Sequence, residues 1–412
     1  MSRSKKLLVA CVAIVALVAA ACGDDDSSDT AATGGGGSSL QVPALADVLS
    51  VDLDNCAPAP EGDPLIIGYA ADKSEVGGFV DIPGSQAADL FVDMINCAGG
   101  VGGHPVEFIV QDIQGDPEVT QRAARDLLDA GAQVILGPPF ADFGQPLLQV
   151  TGGDVPVLFV ASTEPSLPDP AALSFLVTFD DTRQAETAAQ FALDQGFTRA
   201  ITFSAPGPYF GYNPEVFTRA FEEGGGEVVI DETYVPFEDT DFSTQVNEVA
   251  GVADGSEILY TAMIADQLSI LRGQLEAQGV DIAYLGADAF EATGIVAVDN
   301  NEGVYYTTHA WAGPGTPLRQ FLDVFEQVNG EPIENSSFGG LAADAVWIAV
   351  NGFADSGGSS DPAAIGAAIA ELQGLSTVTG SITYAGTNGV PDKPVYIHQI
   401  VNGEPTLAAT YG

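Results

Sequence analysis

Residue types that do chemistry are sparse in this chain, and their spacing assembles no catalytic pattern. The histidines are His104, His309 and His398, each far from the others in sequence. No GxxxxGKS/T, GxSxG, HExxH or CxxC stretch is present, so phosphate-loop, serine-triad, zinc-protease and dithiol chemistry find no support. The cluster GGVGG (99–103) follows a helical segment and precedes an extended one, the reverse of a phosphate cradle, and reads as a turn. Asp24, Asp25 and Asp26 stand in GDDDSSDTAATGGGGSS (23–39), which has almost nothing to bury and reads as a solvated tether, not a calcium site. No metal and no cofactor is expected.

Charge excludes further classes. The 412 residues carry 12 Lys+Arg against 57 Asp+Glu, a formal charge of −45, and Lys73 and Lys393 are the only lysines beyond residue 6. Counterion release from nucleic acid needs clustered cations, so no nucleic-acid partner is expected. The basic residues that do cluster, Arg3, Lys5 and Lys6, precede a 15-residue apolar run, LLVACVAIVALVAAA (7–21). That run is short for a membrane span and has the form of a secretory signal. It ends at Cys22, and LVAAAC resembles a bacterial lipobox, with Ala19 where leucine is commoner. The reading is therefore a lipoprotein signal peptide at 1–21, a mature chain starting at a lipid-bearing Cys22, and a flexible tether and N-terminal arm over 22–61. Cys11 then leaves with the signal and Cys22 takes the lipid. Cys56 and Cys97 remain, and in an oxidising compartment they are expected to pair, the alternative being two buried free thiols. Losing three basic residues leaves nine against 57 acidic ones, a formal charge of −48, whose self-repulsion salt relieves.

The elements that must position any site alternate. LIIGYAA (65–71), VEFIVQDI (106–113) and QVILGP (133–138) are each followed by an amphipathic segment, at 84–97, 117–130 and 142–151. Continuous Ile/Val/Leu runs suit strands covered on both faces, and this βα alternation predicts parallel sheets flanked by helices. In DPEVTQRAARDLLDAG, Asp116 caps, Pro117 fits the first turn and Gly131 ends the helix. After PVLFVAS (156–162) and FLVTF (175–179) the pattern restarts with a helix from about 182 and strands at 200–205, 227–235, 257–263, 282–288 and 304–309. One sheet would hold too many strands, so the fold class is α/β with two lobes. Helices are expected at 317–328, 338–356 and 361–372, then SITYAG and KPVYIHQIVNG as a hairpin-like pair.

The order of several phrases resembles a family. PLIIGYAADKS, QAADLFVDMINCAGGVGGHPVEFIVQDIQGDPEVTQRAARDLLDAGAQVILGPP, VPVLFVASTEPSLPD, FLVTFDDTRQAE, GGEVVIDETYVPFEDTDFSTQV and YLGADAF together are similar to the type 1 periplasmic binding proteins, in particular the branched-chain amino acid (Leu/Ile/Val) binding proteins of ABC importers, over roughly residues 62–405. The resemblance implies two Rossmann-like lobes with parallel-type sheets joined by a three-strand hinge, the type 1 periplasmic binding protein fold. The crossovers are placed near Asp180, His309 and Thr379, which puts 62–180 plus 310–378 in lobe 1 and 181–309 plus 379–412 in lobe 2. It also implies a monomer, anchored by lipid to the outer face of the cytoplasmic membrane, that captures a small polar ligand and delivers it to an ABC permease complex without turnover. The other readings are a receptor module presenting the same cleft to a signalling partner, and an amide-processing enzyme on a similar scaffold.

Site residues follow position by position from the resemblance. In AST, Ala161 and Thr163 match a backbone carbonyl and a threonine hydroxyl that hold the ligand, with Ser162 between them. Asp288 in LGADA matches the acidic residue that accepts the ligand ammonium; read alone, it is a strand-end carboxylate. The aromatic wall corresponds to Phe79 and to Tyr209 or Phe210, side chains that also suit ordinary loop packing. Two departures stand out. Where the family has a serine for the carboxylate, GPPFADF offers Phe140 or Ala141, and where it has tyrosine, YTAMI offers Met263. The lost hydroxyl and aromatic imply an altered ligand: an aliphatic amide, a urea-like compound or an aromatic acid beside the amino acids.

Overall fold

The computed structural model describes residues 39–412; the signal segment, Cys22 and most of the polar tether lie outside the described residues. The chain opens with α1 (Leu45–Val48), β1 (Leu65–Ala71), α2 (Gly78–Cys97), β2 (Val106–Asp112), α3 (Pro117–Asp129), β3 (Val134–Gly137), α4 (Ala141–Thr151), β4 (Val157–Phe159) and β5 (Ser174–Leu176). It continues with α5 (Asp181–Asp194), β6 (Arg199–Ser204), α6 (Pro208–Glu223), β7 (Glu227–Thr233), α7 (Ser243–Val252), β8 (Ile258–Thr261), α8 (Ala265–Ala277), β9 (Ala283–Gly286), α9 (Ala289–Ala292) and β10 (Tyr305–Thr308). Last come α10 (Pro317–Asn329), α11 (Ser336–Asp355), α12 (Pro362–Ala370), β11 (Leu375–Thr377), β12 (Gly380–Ile382), β13 (Val395–Val401) and β14 (Glu404–Tyr411).

Two sheets organise these elements. The first has the order β2-β1-β3-β4-β5 with every pairing parallel. The second has the order β14-β13-β10-β9-β8-β6-β7, parallel from β10 to β7 and antiparallel where β13 meets β10 and β14. Each is covered on both faces, as continuous apolar strands require. On the first, Phe91, Leu341 and Val346 of α2 and α11 fill one side, and Leu127, Phe143 and Leu147 of α3 and α4 the other. On the second, Leu268 and Leu271 of α8 face one side, and Phe191, Phe217 and Phe221 of α5 and α6 the other.

Local signals account for several boundaries. Asp116 Oδ1 accepts the amides of Glu118 and Val119 at 2.8 and 2.9 Å, with Pro117 opening α3. GGVGG is the turn from α2 into β2: Gly100 has φ +70°, and a Cβ there would lie 2.2 Å from the His104 carbonyl oxygen. Helix α2 begins at Gly78, six residues before the expected 84, and runs through Pro83. Proline has no N–H to give Phe79, and that carbonyl instead accepts from Asn335 Nδ2 at 2.5 Å, which restores the first turn. Cys56 and Cys97 form the expected disulfide, 41 residues apart in sequence. It ties the N-terminal arm to α2, and Val48 and Leu49 of that arm are buried in the first core. By loop-closure entropy the bridge stabilises the fold by at most about 4 kcal/mol.

Two expectations for the C-terminal stretch are corrected. SITYAG and KPVYIHQIVNG are not partners: β12 pairs with β11, and β13 pairs with β14 through Asn402 and Gly403, at φ +55° and +77°. Asn-Gly between two strands is a strong hairpin signal, and both residues take the positive φ that a tight turn needs. Residues 380–391, allotted to lobe 2, line the first sheet instead. The Tyr384 hydroxyl donates to the Leu176 carbonyl at 2.5 Å, the Leu176 amide donates to Gly389 O at 2.9 Å, and Ile382 is buried in the first core. The chain thus crosses for the third time between Asp392 and Val395, past the expected Thr379.

Candidate functional site

Parallel strands deliver their following loops at their carboxyl ends, and both sheets aim those ends at one cleft. Beyond β1, β3 and β4 the first sheet presents Val76, Phe79, Phe140, Ala141 and the stretch Ala161 to Thr163; the second presents Tyr209, Phe210, Phe237, Ile264 and Asp288 beyond β6, β7, β8 and β9. The cleft between them measures about 320 Å³, room for a small organic molecule. Nine of the ten expected binding residues line it: Phe79, Phe140, Ala141, Ala161, Ser162, Thr163, Tyr209, Phe210 and Asp288.

Met263 does not line it. Its side chain is fully buried in the core of the second sheet with Phe203 and Leu268, and the next residue, Ile264, faces the cleft. The chain leaves β8 there to enter α8, and one residue of slip exchanges core for cleft. Sequence reasoning also missed Asp181, Phe237 and Phe338. Asp181 reads as a first-turn helix residue beside the capping Asp180, yet it is 1% exposed and lines the cleft.

Asp288 is the electrostatic centre. The turn that carries it is tight: a Cβ on Gly286 would lie 2.1 Å from the Phe290 ring. Oδ1 accepts the Tyr209 hydroxyl at 2.6 Å, and Oδ2 accepts His309 Nε2 at 3.0 Å. Its own amide donates to Gln184 Oε1 at 2.9 Å. Burial pushes this carboxyl up, but the bonds and charge of His309 with the bonds of Tyr209 and Gln184 outweigh it, and Asp288 is held below the ordinary carboxylate range. Asp181 goes the other way: burial first, then the charge of Asp288, drives its carboxyl well above that range, against bonds from Asn213 and Thr163. The two carboxyls at the site are therefore shifted in opposite directions. At the opposite wall, Phe140 precedes α4 with no side chain capping the helix, so the Ala141 and Asp142 amides are left for a ligand acceptor.

The walls are aromatic. Phe79 and Phe140 lie 6.4 Å apart across the first lobe's lip, and Phe210 meets Phe237 at 5.8 Å on the second. Phe237 is 65% exposed and holds φ +64°, an unusual backbone for a bulky residue. Phe237→Gly is expected to raise the melting temperature by relieving that backbone, worth about 1 kcal/mol, while weakening ligand affinity by removing the wall. Calorimetric melting and binding titration of the same variant check the two opposite signs.

The lip of the first lobe carries a pH signature of its own. Asp81, in the first turn of α2 beside Phe79, accepts the Tyr69 hydroxyl and the Asp72 amide, both at 2.7 Å. Burial pushes its carboxyl up to about 8, the bonds from Asp72 and Tyr69 opposing and the Asp72 charge adding. The folded carboxyl keeps its proton to higher pH than an unfolded one, so this stabilisation is complete below about pH 4 and is lost as pH rises through about 8. Wild type is expected to lose about 1.5–2 kcal/mol more than Asp81→Asn between about pH 6.5 and about pH 8. Urea titrations at the two pH values measure it.

A cleft at the carboxyl ends of the strands of one parallel and one mixed sheet, with a polar anchor inside and apolar walls, defines a protein that binds a small molecule. The periplasmic binding protein family model matches residues 64–405, and the chain belongs to that family. It is similar to Leu/Ile/Val-binding protein homolog 3 of Brucella melitensis, 25% identical over 309 residues that cover 73% of this chain and 82% of that one. The leucine-, isoleucine-, valine-, threonine- and alanine-binding protein of Pseudomonas aeruginosa is 22% identical over 325 residues, covering 76% and 85%. Among solved structures, the branched-chain amino acid transporter substrate-binding protein LivJ of Streptococcus pneumoniae, in complex with isoleucine, superimposes with a TM-score of 0.71 at 20% identity, covering 84% of this chain and 99% of that one. A solute-binding protein of R. palustris in complex with benzoate gives 0.70 at 18% identity, covering 85% and 96%.

Proposed function

We propose that the protein is an extracytoplasmic solute-binding lipoprotein that captures a small ligand bearing an ammonium group and delivers it to an ABC permease, without converting it. The observation that carries this reading is Asp288, an ionised carboxylate buried at the cleft and bonded by a tyrosine and a histidine. Asp142 and Glu164 add acid to the lining, and among the described lining residues there is no Lys, Arg or His. A cation is the ligand group such a surface favours. The Thr163 region and the free amides of α4 suit a carboxylate or an amide oxygen at the other end, so branched-chain or related amino acids come first and amide or urea-like relatives second.

A melting-temperature screen of amino acids, amides and ureas tests the reading. The cognate ligand at a hundredfold over its dissociation constant is expected to stabilise the protein by about 2.7 kcal/mol; stabilisation by an amide or urea and by no amino acid would refute the ammonium assignment, and silence from every class would refute the reading whole. Lipid anchoring at Cys22 is part of the same proposal: Cys22→Ala is expected to release the protein from membranes, and unchanged membrane partition would remove the anchor from the account.

A further inference from the structure

The strands that join the lobes carry a buried relay that the binding reading does not use. His309, on the crossover that follows β10, is fully buried. Its Nε2 lies 3.0 Å from Asp288 Oδ2 and its Nδ1 2.7 Å from Thr178 Oγ1, on the first crossover. Phe179 stacks on the ring at 4.6 Å, and Phe338 of α11 meets it edge-on at 5.0 Å. The titratable groups facing this ring are all acidic. They are Asp288 before α9 and Glu291 on α9, which holds Thr308 and Ser337; Asp181 on α5 is a charge neighbour of Asp288. Burial drives the Glu291 and Asp181 carboxyls toward their neutral forms, so the charge to be balanced here is that of Asp288.

We infer that His309 is the resident counter-ion of Asp288, and that an ammonium ligand takes its place by expelling the imidazolium proton to solvent. The inference rests on the ammonium reading above. On this inference the empty cleft holds one imidazolium, 3.0 Å from one carboxylate. A ligand cation arriving at Asp288 would leave two buried positive charges beside one negative, an arrangement that desolvation makes unfavourable. Loss of the imidazole proton restores balance and keeps both hydrogen bonds, because neutral His309 still donates from Nε2 to Asp288 while Nδ1 accepts from Thr178. Capture of a cation then releases one proton. Affinity for it rises with pH across the imidazole's titration, by up to about tenfold per pH unit. A neutral ligand gains nothing from that exchange, so the relay is also a device for choosing cations near neutral pH and above.

The test is calorimetric titration with L-leucine and isopentylamine as cationic probes and isovaleramide as the neutral one. Each is run near pH 6 in phosphate and in a buffer of much larger ionisation enthalpy, and again at higher pH. Release of about one proton on binding a cationic probe is expected in wild type and none in His309→Gln, whose amide keeps a neutral donor toward Asp288. A wild-type enthalpy independent of buffer overturns the inference while the ammonium reading stands. So does proton release that persists in His309→Gln, which would make Asp181 the source. Failure of every cationic probe between about pH 5 and about pH 9 overturns both together. Should His309→Gln not fold, the ring-proton spectrum of wild type decides, since His309 must pass to its neutral form when a cationic probe saturates the cleft.

Discussion

Lys393→Ala is expected to destabilise the protein by about 3–5 kcal/mol, the range for removing one partner of a buried ion pair. Lys393 lies on the third crossover, fully buried, with Nζ 3.4 Å from Asp344 Oδ2 and a hydrogen bond to the Thr379 hydroxyl. Burial pulls the ammonium down, and the Asp344 charge and hydrogen bond oppose that fall. Asp344, on α11, also accepts the Val378 and Thr379 amides at 2.6 and 3.2 Å and the Thr377 hydroxyl at 2.9 Å. The single substitution leaves this buried carboxylate its hydrogen-bond donors but no cation. In Lys393→Ala with Asp344→Asn both charges leave together, and the double variant is expected to lose less than the sum of Lys393→Ala and Asp344→Asn. Urea midpoints of the four proteins give the coupling. A loss below about 1 kcal/mol in Lys393→Ala would mean the pair is worth no more than an exposed one.

The second large effect is on binding. Asp288→Asn is expected to weaken an ammonium ligand by about 2–4 kcal/mol, because closure desolvates the pair and the amide offers no charge to meet the cation. The fold is expected to survive the change. The imidazole can reverse its tautomer, accepting at Nε2 from the new amide and donating from Nδ1 to the Thr178 oxygen 2.7 Å away. Thr163→Ala, which removes one neutral hydroxyl, is expected to cost about 1 kcal/mol. Titration of both variants with the best ligand from the melting screen compares the two losses. Equal affinity in Asp288→Asn and wild type would show that the ligand's cation does not sit on Asp288.

The architecture was largely legible because its signals are local. Continuous apolar runs marked the strands, Asp116 and Pro117 marked a helix start, and Cys56 and Cys97 are bridged. What escaped depends on contacts across the chain. Pro83 hid the first turn of α2, since the partner that replaces its missing bond is Asn335, 256 positions away from Phe79. The third crossover was set too early because the Tyr384 hydroxyl and the Gly389 carbonyl bond Leu176, 208 residues before Tyr384. Asn402 and Gly403 were a local signal that went unused.

The site divides the same way. Asp288 and the AST stretch were found through resemblance, since a strand-end aspartate alone does not announce a ligand. His309 and Asp181 gain their meaning only from three-dimensional neighbours, Asp288 above all. Phe237 lies in a loop whose residue types favour no particular conformation, and the positive φ that places it at the cleft is invisible in sequence.

The most direct test of the central claim is equilibrium dialysis of wild type and Asp288→Asn against the leading amino acid, amide and urea candidates, with the retained solute identified by mass spectrometry. The account predicts one compound held saturably at one molecule per chain, recovered chemically unchanged, and absent from Asp288→Asn. A retained compound that emerges hydrolysed, or one held equally by both proteins, would contradict it.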